Sequence, residues 1–263
     1  MSQPVQWIEL AYPDGHARIE YQWVGTTDAP GPLIVILHEG LGSLAMWKDF
    51  PEQLCQRLQR RGLVYSRPGY GQSRRLGDTK RWRNDFMHRE ANEVLSALLQ
   101  GLGVQEAPVL LGHSDGASIA LLYAAMYPDH CSAVIAMAPH LFVESKTLAA
   151  IAALQAPEVR EPLLMRLSKY HLDAEGILDL WTQTWLEPEF SAWSITDTIA
   201  PLHCPVLGVQ GLTDAYGTMQ QIYALRRVTG SVQLLELADC GHSPHRDQAE
   251  ALSTAICDFL TCT

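Results

Sequence analysis

Residues 33–38, "LIVILH", are apolar without a break up to the closing histidine, and no other feature of this 263-residue chain restricts its fold as much. A strand with one face in water alternates apolar and polar side chains. A run that is apolar throughout needs cover on both faces, as in the middle of a parallel sheet. Further strand-like runs follow at "LVYS", "PVLLGH", "SAVIAMAP" (132–139), "CPVLGVQG" (204–211) and "SVQLLEL" (231–237). Between them lie stretches of helical character. Phe50, Leu54 and Leu58 form a stripe stopped by Gly62, and residues 86–103, "DGASIALLYAAMY", a segment near 219–228 and a terminal one at 246–260 complete the set. Strands alternating with helices of this length predict a mostly parallel α/β sheet, flanked by helices and linked by right-handed crossovers. Two more strands, 6–11 and 17–24, precede it, joined by a turn at Pro13, Asp14 and Gly15.

The alternation breaks between residues 140 and 200. That span reads as helical, with Pro157, Pro162 and Pro188 and the tryptophans Trp181, Trp185 and Trp193. Its place after the C-terminal end of a strand, where such sheets bind ligands, predicts a helical cap (140–200) over a core formed by 1–139 and 201–263. At 47% hydrophobic and 18% charged residues, the chain has enough apolar material for one such core, and disorder is excluded for its bulk.

The net charge of −10 disfavours a nucleic-acid partner, because neutralising phosphates requires a basic face. The one basic cluster, "RRLGDTKRWR" (74–83), reads as a solvated loop. Six scattered cysteines without a C-x-x-C pair fit reduced thiols. The first ten residues do not read as a secretory signal, and no run approaches the ~18 apolar residues of a membrane span. The expectation is a cytoplasmic protein with a small-molecule substrate and neither a nucleic-acid nor a membrane partner.

"GHSDG", residues 112–116, sits between a predicted strand and a predicted helix. A G-x-S-x-G pentapeptide in that context is a nucleophile elbow: small flanking residues let strand and helix approach while the apex serine is exposed above the sheet. A serine hydroxyl needs a base, and the base needs an orienting carboxylate. His242 lies in the loop between the last predicted strand and the last helix, on the same rim as Ser114. His245 is its rival, and His113 should point away from the serine. Asp214 follows the strand ending at Gly211 and is the predicted carboxylate, ahead of Asp239 and Glu144. The three stand in the chain order Ser…Asp…His. For the oxyanion, the backbone N–H of Asp115 comes with the elbow, and that of Gly40 is expected from "HEGLGS" (38–43).

These motifs, together with "YSRPGYGQS" (65–73), resemble the α/β-hydrolase superfamily over essentially the whole chain. The resemblance implies an α/β-hydrolase fold with an eight-stranded, mostly parallel sheet, and acyl-enzyme hydrolysis with no metal and no organic cofactor. Two departures stand out. The oxyanion turn carries Glu39, and the nucleophile is followed by Asp115. The Ser-Asp-Gly elbow resembles that of valacyclovir hydrolase-like enzymes, which act on amino-acid esters. Glu39, His140, Trp181, Trp185 and Tyr216 are the candidate substrate contacts. The expected activity is hydrolysis of a small to medium carboxylic ester, with thioesters and amides open to the same machinery. The alternatives are carbon–carbon bond hydrolysis in aromatic-ring degradation, aminoacyl-ester hydrolysis, and a non-catalytic ligand receptor.

Overall fold

The structure is a computed structural model that describes residues 3–13, 15–27, 29–77 and 84–262. Nine strands form one sheet: β1 (Gln6–Tyr12), β2 (Gly15–Gly25), β3 (Ile34–Leu37), β4 (Arg61–Tyr65), β5 (Arg74–Leu76), β6 (Val109–His113), β7 (Ala133–Met137), β8 (Val206–Gly211) and β9 (Val232–Leu237). The main path of eight runs β1-β2-β4-β3-β6-β7-β8-β9, and short β5 pairs with β2 beside it. Every pairing from β4 to β9 along this path is parallel, and β1 and β2 are antiparallel. Residues 74–76 of the basic cluster are thus a strand rather than a loop, their backbone completing the ladder on Arg18, Ala17 and His16. The rest of that cluster from 78 onward, and Asp14 of the first turn, lie outside the described residues.

The apolar strands behave as two-faced elements. Val35 and Leu37 of β3, with Leu110 of β6, point into one core layer; Ile34 and Ile36, with Leu111, point into the other. The first layer holds the helix Asp115–Met126, and the second holds Phe50–Leu58 and Ala249–Cys262. From Asp115 to Ala124 the elbow helix is buried at every position, so it has no polar face to reveal its orientation. The predicted single helix over 86–103 contains a π-helical segment, Glu90–Leu95, between Phe86–Arg89 and Ser96–Gly101.

The segment between β7 and β8 contains the helices Ser145–Ala153, Pro157–Leu167, Ala174–Trp185 and Thr196–Ile199. It is not a separate body. Ile151, Trp181, Trp185, Phe190 and Trp193 belong to the same apolar cluster as Leu110 and Ile119 of the core, and Phe190 stacks on Phe86. No helix among the described residues is long and apolar enough to cross a membrane.

Close approach fixes the elbow. A Cβ at Gly116 would stand 2.3 Å from the Leu37 carbonyl oxygen and 2.6 Å from that of His38. The end of β3 and the start of the helix can meet only if residue 116 has no side chain. Gly116→Ala is therefore expected to cost about 1–3 kcal/mol through overpacking, measured as a lower urea midpoint. An unchanged midpoint would show that the two segments can separate freely.

Candidate active site

Ser114 occupies the turn between β6 and its helix with φ 55° and ψ −120°. This left-handed-side backbone is costly for a residue with a Cβ, on the order of 1–3 kcal/mol. The surroundings hold it there. The Ser114 N–H donates to the Met137 carbonyl (2.9 Å), and the Ser114 carbonyl accepts from Ala117 (2.9 Å). Ser118, one turn on, donates its hydroxyl to the His140 carbonyl (2.7 Å) and accepts the His140 N–H (3.1 Å), tying the helix to the end of β7.

Three loops at the C-terminal rim bring Ser114, His242 and Asp214 together. His242 Nε2 lies 2.9 Å from Ser114 Oγ, and His242 Nδ1 lies 2.8 and 3.0 Å from the Asp214 carboxylate oxygens. With Nδ1–H donating to the carboxylate, Nε2 is the acceptor facing the serine. Asp214 is buried and well partnered: Gln210 Nε2 donates to Oδ2 (2.6 Å) and the Tyr216 N–H to Oδ1 (2.7 Å). Burial alone would raise its pKa, but His242 and the Tyr216 N–H outweigh burial and lower it. The competing carboxylates act elsewhere. Glu144 accepts from Thr218 and Gln221, bracing the loop after Asp214. The loop carrying His242 is braced by Asp247, which accepts the Gly241 N–H (2.8 Å), while Asp239 sits in the turn with φ 51°.

His245 and His140 are buried imidazoles of another kind. Burial and the neighbouring His113 push the pKa of His245 down to about 2, and its ring packs on Trp47 (4.7 Å) and His113 (5.0 Å). His140 is pushed down to about 3 by burial and by His242, whose ring lies 5.9 Å away. Both are neutral at pH 7. His113 does point away from the serine. Its Nε2 donates to the His242 carbonyl (2.6 Å), and its Nδ1 lies 3.1 Å from Glu39 Oε2. Burial opposes ionisation of Glu39, yet its contacts with His113 carry its pKa far below the ordinary carboxylate range. Glu39 thus links the turn after β3, through His113, to the backbone of His242.

The same turn is held from below by Arg67, a fully buried cation that the sequence did not single out. It donates Nη2 to the Glu39 carbonyl (2.8 Å), and its backbone N–H donates to His38 Nε2 (3.0 Å), while its guanidinium lies over the Tyr70 ring. Asp115 is buried in this field. Burial raises its carboxyl pKa, Arg67 opposes the rise, and Trp181 Nε1 donates to Oδ2 (3.0 Å). The Trp181 indole lies so close over Gly40 that a Cβ there would be 2.3 Å from Nε1. As the first residue of its helix, Asp115 also has a backbone N–H without an intrahelical acceptor.

A cavity of about 800 Å³ opens above Ser114 and is lined by Glu39, Gly40, His140, Trp181, Tyr216 and His242 among others. Tyr216 packs against the His242 ring at 4.8 Å. One predicted contact, Trp185, and the acidic side chain next to Ser114 do not reach this space. Trp185 is fully buried behind it, against His140 (4.9 Å) and Phe190 (5.0 Å), and the Asp115 carboxylate is enclosed beneath Trp181. Positions 181 and 185 share a helix face, but the helix is turned so that Trp181 meets the cavity and Trp185 the core. Among the described residues, no group of three or more His, Cys, Asp or Glu is arranged to hold a metal ion.

The model of the alpha/beta hydrolase fold family matches residues 32–164. The chain belongs to that family. It is similar to the sn-1-specific diacylglycerol lipase ABHD11 of Mus musculus, with 26% identity over 261 residues, spanning 89% of this chain and 82% of that protein. Among solved structures, a thermophilic esterase from Thermogutta terrifontis superposes with a TM-score of 0.70 at 22% identity, covering 98% of each chain. The 2-hydroxy-6-oxo-6-phenylhexa-2,4-dienoate hydrolase from Rhodococcus sp. strain RHA1 superposes with a TM-score of 0.77 at 16% identity, covering 98% of this chain and all of that one. The solved structures agree with the family match on the fold.

Two outcomes follow from the polar network. Trp181→Phe keeps the ring but leaves buried Asp115 without its indole donor, and is expected to cost about 1–3 kcal/mol in denaturant unfolding; no loss would mean that water or Arg67 replaces the donor. Glu39 has a lowered folded-state pKa, so the stability it contributes is present above the ordinary carboxylate pKa of about 4 and lost as the pH falls through the lower folded value. Glu39→Gln should therefore be less stable at neutral pH and lose less on acidification, as read by thermal melts across acidic buffers. Parallel acid profiles for the two proteins would contradict the Glu39–His113 pair.

Proposed function

We propose that this protein is a serine hydrolase of small to medium carboxylic esters, acting through an acyl-enzyme on Ser114. One observation carries the reading: a single imidazole, His242, is hydrogen-bonded on one side to the serine at the apex of the turn and on the other to a buried carboxylate. In this reading Ser114 Oγ attacks the ester carbonyl as His242 Nε2 takes its proton. Asp214 stabilises the imidazolium and holds the ring in the required tautomer. The backbone N–H groups of Asp115 and Gly40 receive the developing oxyanion, each such donor contributing on the order of 3 kcal/mol to the transition state. His242 then returns the proton to the leaving alcohol and activates water against the acyl-enzyme. The helical segment 140–200 serves as a cap whose Trp181 roofs the oxyanion turn. Thioesters and amides could enter by the same route.

The aminoacyl-ester alternative loses its support. Of the two departures from the family pattern that could supply a carboxylate for an ammonium, the Asp115 side chain lies outside the cavity lining and Glu39 is taken by His113. Carbon–carbon bond hydrolysis would use the same three side chains and is decided by substrate.

The test is initial rates on p-nitrophenyl esters of increasing acyl length, wild type beside Ser114→Ala. Wild-type turnover should fall by about 10⁴-fold or more in the variant, and the preferred acyl length gauges the cavity. Equal rates in the two proteins would overturn the assignment. Negligible ester turnover with rapid bleaching of a meta-cleavage dienoate would shift it to carbon–carbon hydrolysis. Ligand binding without chemistry would indicate a receptor.

A further inference from the structure

The cavity above Ser114 has a charge pattern that acyl transfer does not require. Four cations stand on its wall: Lys48, after the turn Leu44–Trp47; Arg166 and Lys169, at the C-terminal end of Pro157–Leu167; and Arg246, in Pro244–Asp247. All four are exposed, whereas Ser114 is buried, so the cations ring the outer part of the cavity and the serine lies at its floor. Only two acids, Glu39 and Asp49, share the lining. The chain as a whole has 29 acidic residues against 19 lysines and arginines, so the cavity mouth reverses the sign of the molecule.

Two acids against four cations offset this charge only in part. Glu39 is engaged by His113 at 3.1 Å, with Arg246 at 3.8 Å. Lys48 donates to the Tyr170 hydroxyl (2.8 Å) and lies over that ring (4.5 Å). Among the described residues, no carboxylate pairs with Arg166 or Lys169. The cations act on common ground: Lys48, Lys169 and Arg246 together lower the pKa of the Tyr170 phenol, and Arg166 acts on Tyr216 beside His242. The lining also includes the apolar side chains Leu41, Met46, Ile151, Leu163 and Leu167, all buried or half-buried. A ligand matching these surfaces combines an ester, an apolar stretch and an anion. Unpaired cations at the mouth of a low-dielectric cleft attract anions and repel cationic ligands.

We propose that the cavity selects esters carrying an anionic group, a carboxylate or a phosphate, at the end remote from the scissile bond, with Arg166 and Lys169 receiving that group and Lys48 and Arg246 flanking it. This rests on the ester-hydrolase reading above and narrows its substrate class.

The experiment compares matched esters. One series has the anion on the acyl side: mono-p-nitrophenyl esters of dicarboxylic acids against p-nitrophenyl esters of the corresponding neutral acids. The other has it on the alcohol side: butyryl esters of 4-hydroxybenzoate and of 4-hydroxyphenyl phosphate against phenyl butyrate. This second series also separates carboxylate from phosphate. In at least one series kcat/KM should favour the anionic ester by about ten-fold or more at low salt, with the preference shrinking as salt is added. The double variant Arg166→Gln, Lys169→Gln should reduce the anionic-to-neutral ratio by about ten-fold. Arg227→Gln, a surface change outside the cavity lining, should leave the ratio as it was. Neutral esters preferred in both series, or a ratio unmoved by the double variant, would overturn the proposal.

A binding arm separates this failure from that of the parent reading. Intact anionic and neutral esters are titrated into Ser114→Ala protein, following the fluorescence of the cavity tryptophans. Tighter, salt-sensitive binding of the anionic ester supports the subsite even if no ester is turned over; equal binding overturns it.

Discussion

The strained turn at Ser114 is the constraint on which the rest of this structure depends. A residue with a side chain is held at φ 55° because the strand before it, the helix after it and the end of β7 are all fixed by other contacts. β6 is paired on both sides in a parallel ladder, and its helix is buried along ten successive residues. The helix can come so close to β3 only because Gly116 presents no Cβ to the Leu37 carbonyl. Relaxing the turn would break the Ser114–Met137 hydrogen bond and carry Oγ away from His242. The strain is thus met where the sheet is paired on both sides, and the turn points one hydroxyl at His242.

Around that turn two polar chains converge. One runs from Asp214 through His242 to Ser114, the imidazole part-buried and its carboxylate partner enclosed. The other runs from Glu39 through His113 to the His242 carbonyl, with Arg67 gripping the Glu39 carbonyl from the opposite side. The second chain contains no group placed to react. It ties the turn bearing Gly40 to the loop bearing His242 through one buried polar chain. Trp181 adds the helical segment to this frame through Asp115, which makes the roof of the cavity part of its floor.

What the sequence displayed and what it hid differ by distance along the chain. Ser114, Asp214 and His242 each follow an apolar run whose end marks the rim, so their convergence could be read without coordinates. The strands were equally legible, apart from β5, which lies inside a stretch whose arginines suggested a solvated loop. The Glu39–His113 and Trp181–Asp115 pairs join residues more than sixty positions apart, and neither partner alone has a pattern that names the other. Arg67 was hidden for a related reason: an arginine in a Gly-Pro-rich loop looks exposed until the fold closes over it. For Trp181 and Trp185 the sequence specified the shared face but not its rotation. The same applies to the acid that braces the His242 loop, where Asp247 rather than the nearer Asp239 supplies the carboxylate.

The central claim is that Ser114 alone among the serines is made nucleophilic, by His242 held on Asp214. Reaction with a fluorophosphonate, followed by peptide mass mapping, tests it most directly. The account predicts a single adduct, on the peptide containing Ser114, forming far more slowly when His242 is replaced by alanine. An adduct on another residue, or labelling of Ser114 at the same rate without His242, would contradict it.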